Sequence, residues 1–90
     1  MAKQFDTRKK VEISLDFPVQ LADRLLDKVE IRRPKMRDMV KHNIGLDMSM
    51  EDSVNLIADL CGLVPPEIEE MDTCDFEKLQ NQLLSFRGAL

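Results

Sequence analysis

The stretch VEISLDFPVQLADRLLDKVEIRRP, residues 11–34, decides the fold. Apolar and polar residues alternate at its start, with the apolar positions at Val11, Ile13 and Leu15. Alternation with a period of two is typical of a half-buried strand. The alternation resumes at Val19 after Pro18, and a central strand would not accept that proline, which has no N–H for the ladder. We therefore predict a first strand that continues as an edge or a bulged extension.

Two interpretations fit the second half of this stretch. In the first, residues 22–24 form a turn, and a second strand runs from Leu25 or Leu26 to Ile31. In the second, residues 19–29 form a helix, because apolar residues recur there at intervals of four. The β-branched residues late in the stretch and the following Pro34 disfavour the helix. We predict a β-hairpin over about residues 10–32.

The remainder of the chain predicts three to four short helices, at about residues 34–43, 49–61, 65–71 and 73–87. Pro34 suits a first helical turn, where its missing N–H would be unpaired in any case. Ser49 is a good N-cap, and Gly62 suits a left-handed helix end. The predicted fold class is therefore α+β: after a flexible N-terminal arm at 1–9, residues 10–90 form a single domain, a hairpin followed by a small helical domain.

Apolar residues at helical spacing indicate which faces these helices bury. The first predicted helix carries Met36, Met39 and Val40 on one face, with Ile44 as a further candidate. The densest stripe belongs to the second helix and comprises Met50, Val54, Leu56, Ile57, Ala58, Leu60 and Cys61. We expect this second helix to be the central core element. The last predicted helix has a narrower stripe, formed by Phe76, Leu79, Leu83 and Phe86.

Length and charge restrict the function classes. Ninety residues and 10.4 kDa are enough for one small domain. A net charge of −4 and a pI near 4.9 argue against binding to phosphates, so no nucleic acid is expected as a partner. No stretch has the form of a signal peptide or the apolar length of a membrane span. We expect a cytoplasmic protein with no membrane partner.

The residues that enzymes need are scarce. Three glycines in no phosphate-binding pattern exclude a nucleotide cradle. Cys61 and Cys74 form no C-x-x-C pair, and we expect two free thiols. The single histidine, His42, is explained by its place near a helix C-terminus, where a cation is favoured. We predict no enzyme activity, with no catalytic, metal or cofactor-binding residues and no cofactors.

Basic residues concentrate in one part of the chain body, at the step from the predicted hairpin to the first predicted helix. Arg32 and Arg33 precede Pro34, and Asp38 follows four residues after that proline. An arginine can hold a carboxylate through two parallel hydrogen bonds. The carboxylate could be Asp38 or could belong to a partner, and the sequence leaves both open.

The order of these segments resembles a known family. The residues that carry the resemblance are Ile31-Arg32-Arg33-Pro34-Lys35 with Asp38, then Leu56-Ile57-Ala58-Asp59-Leu60-Cys61-Gly62-Leu63, then Met71-Asp72-Thr73-Cys74-Asp75-Phe76. In this order and spacing the chain is similar to the tail assembly chaperones of Mu-like phages and prophages. The resemblance implies a non-enzymatic chaperone that coats the tape measure protein and helps to recruit tail tube subunits. It also implies action in the host cytoplasm, possible self-association in multi-copy complexes and absence from the mature virion.

Under this hypothesis we expect methionines to make adaptable partner contacts and the two arginines to act as polar anchors. The expected partner-binding residues are Arg32, Arg33, Met36, Met39, Met48 and Met50. The alternative is a small regulatory or nucleic-acid-binding adaptor. Its basic face would be built from Arg8, Lys9, Lys10, Arg32, Arg33, Lys35 and Arg37.

Overall fold

The computed structural model describes residues 10–42 and 49–86. Within them lie two strands and four helices: β1 Val11–Gln20, β2 Leu25–Ile31, α1 Met36–Lys41, α2 Met50–Cys61, α3 Pro65–Glu69 and α4 Thr73–Phe86. The strands pair antiparallel as an N-terminal hairpin. The predicted α+β fold class is confirmed, and the helical interpretation of residues 19–29 is wrong. The predicted arm at residues 1–9 lies outside the described residues.

The hairpin contains a bulge around Pro18. Pairing is regular from Val11 opposite Ile31 to Ser14 opposite Lys28, and it resumes at Val19 opposite Leu26. Residues 15–18 of β1 therefore face Asp27 alone. A bulge interrupts the ladder, and so it accommodates a residue without an N–H. This arrangement is the bulged extension that Pro18 predicts.

Helix α2 lies at the centre of the core, as its apolar density predicts. It contacts β2, α3 and α4. Leu56, Ile57 and Leu60 are buried on α2, while Leu79 and Leu83 are buried on α4. Met50, which opens the predicted stripe, is instead exposed at the first turn. The buried face of α2 begins about one turn after Met50 along the helix.

Local capping signals set both ends of α2. The Ser49 hydroxyl accepts a hydrogen bond from the backbone N–H of Asp52 at 3.0 Å. Gly62 ends the helix in the left-handed conformation at φ 71°. Both caps were predicted from the sequence, since these residue types suit those positions.

None of the helices within residues 10–42 and 49–86 is long and apolar enough to cross a bilayer.

Candidate partner-binding surface

The step from hairpin to helix is built around a buried ion pair. Two guanidinium nitrogens of Arg32 donate to the two carboxylate oxygens of Asp38, at 2.8 and 2.9 Å. Asp38 also accepts the backbone N–H of Lys35 at 2.8 Å, which caps the first turn of α1. The hydrogen bonds from Arg32 lower the pKa of Asp38 to about 2, against the opposing effect of burial. The Arg32 guanidinium thus grips a carboxylate of its own chain.

This cap also sets where α1 begins. Because the Asp38 carboxylate receives the N–H of Lys35, Lys35 is the N-cap and the helix starts at Met36 rather than at Pro34. The proline stands just before the cap, in the connection from β2.

The ion pair fixes how α1 is turned about its axis. Successive helical residues are about 100° apart, so residues two positions from an inward-facing side chain face outward. Asp38 is buried, and accordingly Met36 and Val40 are 76% and 73% exposed. Met39, next to Asp38, is partly buried and packs against the core. The apolar face predicted for this helix is therefore divided between the core and solvent.

The exposed residues of α1 form a surface of mixed chemistry. Met36, Arg37, Val40 and Lys41 are all exposed, and we call these four residues the α1 face. Each pair four residues apart, Met36 with Val40 and Arg37 with Lys41, lies along one side of the helix. The α1 face thus presents an apolar strip beside a basic strip.

The end of α1 is anchored to α2 through Asp59. The Asp59 carboxylate lies 2.7 Å from Nε2 of His42 and 3.0 Å from the Lys41 ammonium. The hydrogen bond to His42 and, to a smaller extent, the one to Lys41 lower the pKa of Asp59. His42 therefore has a structural partner, and the α1 face is held against the central helix at its C-terminal end.

Arg33 is also engaged within the fold. Its guanidinium donates to the backbone carbonyl of Phe86 at 2.8 Å and lies 5.2 Å from the centre of the Phe86 ring. A cation at a helix C-terminus is favourable, because the last carbonyls are unpaired there. Arg33 closes the end of α4 in this way.

The six residues predicted to bind a partner have different surroundings. Arg32 and Arg33 contact groups of this chain, Met39 is half-buried, and Met36 and Met50 are exposed. Met48 lies outside the described residues. Sequence analysis did not select Val40 and Lys41 as partner residues. The signal that could have found Val40 is the position of Asp38, since a buried residue there turns positions 36 and 40 outward.

Two other kinds of side chain could take part in chemistry, namely the cysteine thiols and a small group of metal-ligand types. Cys61 and Cys74 are free thiols. Burial raises the pKa of Cys61 to about 12, and the carboxylate of Asp72, followed by burial, raises that of Cys74 to about 11. The ligand atoms of Asp16, Cys74 and Asp75 lie within 4.8 Å of one another. The ammonium of Lys78 forms ion pairs with both carboxylates of that group, those of Asp16 and Asp75.

The basic face of the adaptor alternative is reduced by these contacts. Of its described residues in the chain body, Arg32 is paired with Asp38 and Arg33 with Phe86. Arg8 and Lys9 lie outside the described residues. Two of the seven basic side chains of that alternative are therefore engaged within the fold.

Comparison with known proteins places the chain in a family. Residues 12–88 match the model of the phage tail assembly chaperone proteins described as E, or 41 or 14. Because the match covers the hairpin and all four described helices, the chain belongs to this family of phage tail assembly chaperones. No curated protein and no solved structure matches the chain.

Proposed function

We propose that this protein is a non-enzymatic chaperone of a Mu-like phage or prophage that binds the tape measure protein and assists assembly of the tail tube. It acts in the host cytoplasm and is left out of the mature virion. The observation that carries the proposal is the family match over residues 12–88. The resemblance of the Arg-Arg-Pro step to Mu-like members supports the narrower assignment.

The α1 face supports a helical partner of particular chemistry. An amphipathic helix binds by placing apolar side chains, spaced three or four residues apart, against an apolar surface. Met36 offers a flexible, polarisable contact, and Val40 extends it by one turn. Arg37 favours a carboxylate beside that apolar strip, and Lys41, although bonded to Asp59, is also exposed. The segment of the tape measure protein that binds here should therefore combine apolar and acidic residues on one helical face.

Size indicates that several copies bind one partner. A standard interface buries about 800 Å² on each side. A long helical protein exposes an apolar strip that extends well beyond one such patch, because each residue adds about 1.5 Å of length. A row of copies, with possible contacts between neighbours, would cover it. Tail tube subunits are the other partners that the proposal includes.

The test is co-expression with the tape measure protein of the same phage or prophage. We expect the tagged chain to retain the tape measure protein in the soluble fraction, and the purified complex to have a mass that requires several copies. The control is the tape measure protein expressed without the chain. Equal solubility in both cases, together with failure to co-purify, would refute the proposed function.

A further inference from the structure

The bulge in β1 is held by a side chain from the other end of the sequence. Asp75 is fully buried at the start of α4, and its two carboxylate oxygens accept the backbone N–H groups of Asp16 and Phe17 at 2.8 and 3.0 Å. The Lys78 ammonium lies 3.0 Å from a carboxylate oxygen of Asp16 and 3.5 Å from one of Asp75, and it donates to the carbonyl of Ser14 at 3.0 Å. The backbone of residues 14–17 is therefore fixed to α4.

This rigid bulge presents an aromatic ring to solvent. Phe17 is 57% exposed, although the two α4 residues that hold the bulge, Asp75 and Lys78, are buried and half-buried. It lines an open concave surface, which we call the Phe17 surface, together with Pro18, Val19, Gln20, Glu70, Met71 and Asp72. The surface thus presents an aromatic ring and a proline beside carboxylates, above the buried side chains of Val19 and Met71.

The network at the bulge holds Phe17 in an exposed position. Burying a carboxylate is costly unless hydrogen bonds and a cation compensate for the lost hydration. Here those bonds hold a conformation in which the largest side chain of the bulge stays in water. An aromatic residue on a preordered backbone loses little conformational freedom when a partner covers it, and such residues dominate binding energy at interfaces.

Charge identifies the kind of partner. Glu70 and Asp72 line the Phe17 surface, and Glu69 is exposed one residue before Glu70. Among the residues that the structure describes, no cation pairs with the side chain of Glu69 or Glu70. The Phe17 surface is therefore acidic, whereas the α1 face is basic.

The two surfaces are also separated in space. The bulge is bound to Asp75 at the first turn of α4, while Arg33, just before α1, is bound to Phe86 at its end. Eleven residues of helix separate these positions, which corresponds to about 16 Å along the axis. The Phe17 surface and the α1 face therefore lie near opposite ends of α4.

We propose that the Phe17 surface is a second docking site, which binds a protein segment with apolar side chains flanked by lysine or arginine. This site is distinct from the α1 face and does not depend on binding of the tape measure protein. The apolar side chains of the segment pack on Phe17 and Pro18, and its cations lie beside Glu70 and Asp72.

The test uses a labelled synthetic helical peptide of leucine and lysine, with a leucine and glutamate peptide of the same pattern for comparison. Fluorescence anisotropy measures binding to the full chain. We expect Phe17→Ser to weaken binding of the leucine and lysine peptide by at least about tenfold, as for an aromatic hot spot. Glu70→Lys should weaken it severalfold. Binding of the leucine and glutamate peptide, whose chemistry suits the α1 face, should not change with Phe17→Ser.

Two matched variants serve as controls. Val40→Ser removes an exposed apolar side chain from the α1 face, and Glu30→Lys reverses an exposed charge at the open end of the hairpin. Neither should change binding of the leucine and lysine peptide by more than about twofold. In addition, Phe17→Trp places the sole tryptophan of a chain that has no native Trp or Tyr. Its emission should shift to shorter wavelength when the peptide binds.

Three results would overturn the proposal. One is equal binding by wild type and Phe17→Ser. Another is an equal loss with Glu30→Lys and Glu70→Lys, which would indicate a diffuse charge effect. The third is a Phe17-dependent dimer without peptide, which would make a second copy of this chain the ligand. Circular dichroism of each variant checks that the fold is intact, and the Phe17→Trp emission gives an answer should Phe17→Ser unfold.

Discussion

Two buried carboxylates, Asp38 and Asp75, connect the helices of this chain to its hairpin. Each accepts backbone N–H groups and lies beside a cation, Arg32 in one case and Lys78 in the other. A buried carboxylate with those partners is stabilised in its charged form. The stability of the fold should therefore depend on the ionisation of these two side chains.

Asp38 should contribute an acid-sensitive part of the stability. Its pKa is about 2 in the folded chain, against 3.8 ordinarily, so its contribution is complete above about pH 4 and is lost as the pH falls from there towards 2. Asp38→Asn should therefore lower the free energy of unfolding by roughly 2 kcal/mol at pH 7. The difference from wild type should shrink below pH 4. Urea denaturation at a series of pH values measures it.

The control for Asp38 is Glu30→Gln, which changes an exposed carboxylate of β2. It should alter the free energy of unfolding by less than about 0.5 kcal/mol at pH 7. If Asp38→Asn showed the same small change and the same pH profile as wild type, the Arg32 ion pair would not support the fold.

Asp75 should matter for a different reason, because its two oxygens fix the bulge. Burial disfavours its charge, yet the N–H groups of Asp16 and Phe17 and the Lys78 ammonium together lower its pKa. An asparagine side chain has only one oxygen that can accept a hydrogen bond. Its NH₂ group would face one of the two backbone N–H groups, so that two donors would oppose each other. Asp75→Asn should cost about 3 kcal/mol in chemical denaturation, as for a broken buried pair. The control is Asp16→Asn, which changes an exposed side chain and should lower the free energy of unfolding by less than about 1 kcal/mol. Comparable losses of stability in the two variants would contradict this role of Asp75.

Among the secondary structure elements, the local signals were the reliable ones. Alternation from Val11 to Leu15 predicted β1, and Ser49 with Gly62 predicted the ends of α2, because each depends on neighbours within a few residues. The side of α1 that faces solvent was not predictable in the same way. It is set by the contact of Asp38 with Arg32, for which the sequence allowed a partner carboxylate equally well.

The bulge shows the same limit at longer range. Pro18 predicted that regular pairing would fail, but the bonds that hold the bulge come from Asp75, 58 and 59 residues away along the chain. No periodicity within one element reports such a contact. The candidate surfaces at α1 and at Phe17 both depend on a buried carboxylate of this kind, and for that reason sequence analysis identified only some of their residues.

The C-terminal end of α2 gives a prediction for a single element. Gly62 has φ 71°, and among the described residues no atom lies within 4 Å of where a Cβ would stand. A substitution there is therefore penalised by the backbone conformation alone. Gly62→Val should lose about 2 kcal/mol, whereas Gly62→Asn should lose less than about 1 kcal/mol, since asparagine tolerates the left-handed region. Thermal denaturation compares them, and equal midpoints for the two variants would show that the left-handed cap is unimportant.

At the scale of the whole molecule, two surfaces of opposite charge lie near opposite ends of α4. The α1 face is apolar and basic, and the Phe17 surface is aromatic and acidic. A chaperone with two such surfaces could hold one partner while a second segment binds elsewhere. The role of tail assembly chaperone follows from the family, and the α1 face is where we expect the tape measure protein to bind.

Binding at the α1 face can be measured as the amount of tape measure protein that tagged variants of this chain retain after co-expression. Because Met36 and Val40 are exposed and lie outside the core cluster of the described residues, Met36→Ser combined with Val40→Ser should leave the fold intact. We expect this double variant to retain less than about a tenth of the tape measure protein held by wild type, as for loss of an interface centre. Phe17→Ser, matched in chemistry at the other surface, should retain as much as wild type. Full retention by the folded double variant would contradict binding at the α1 face.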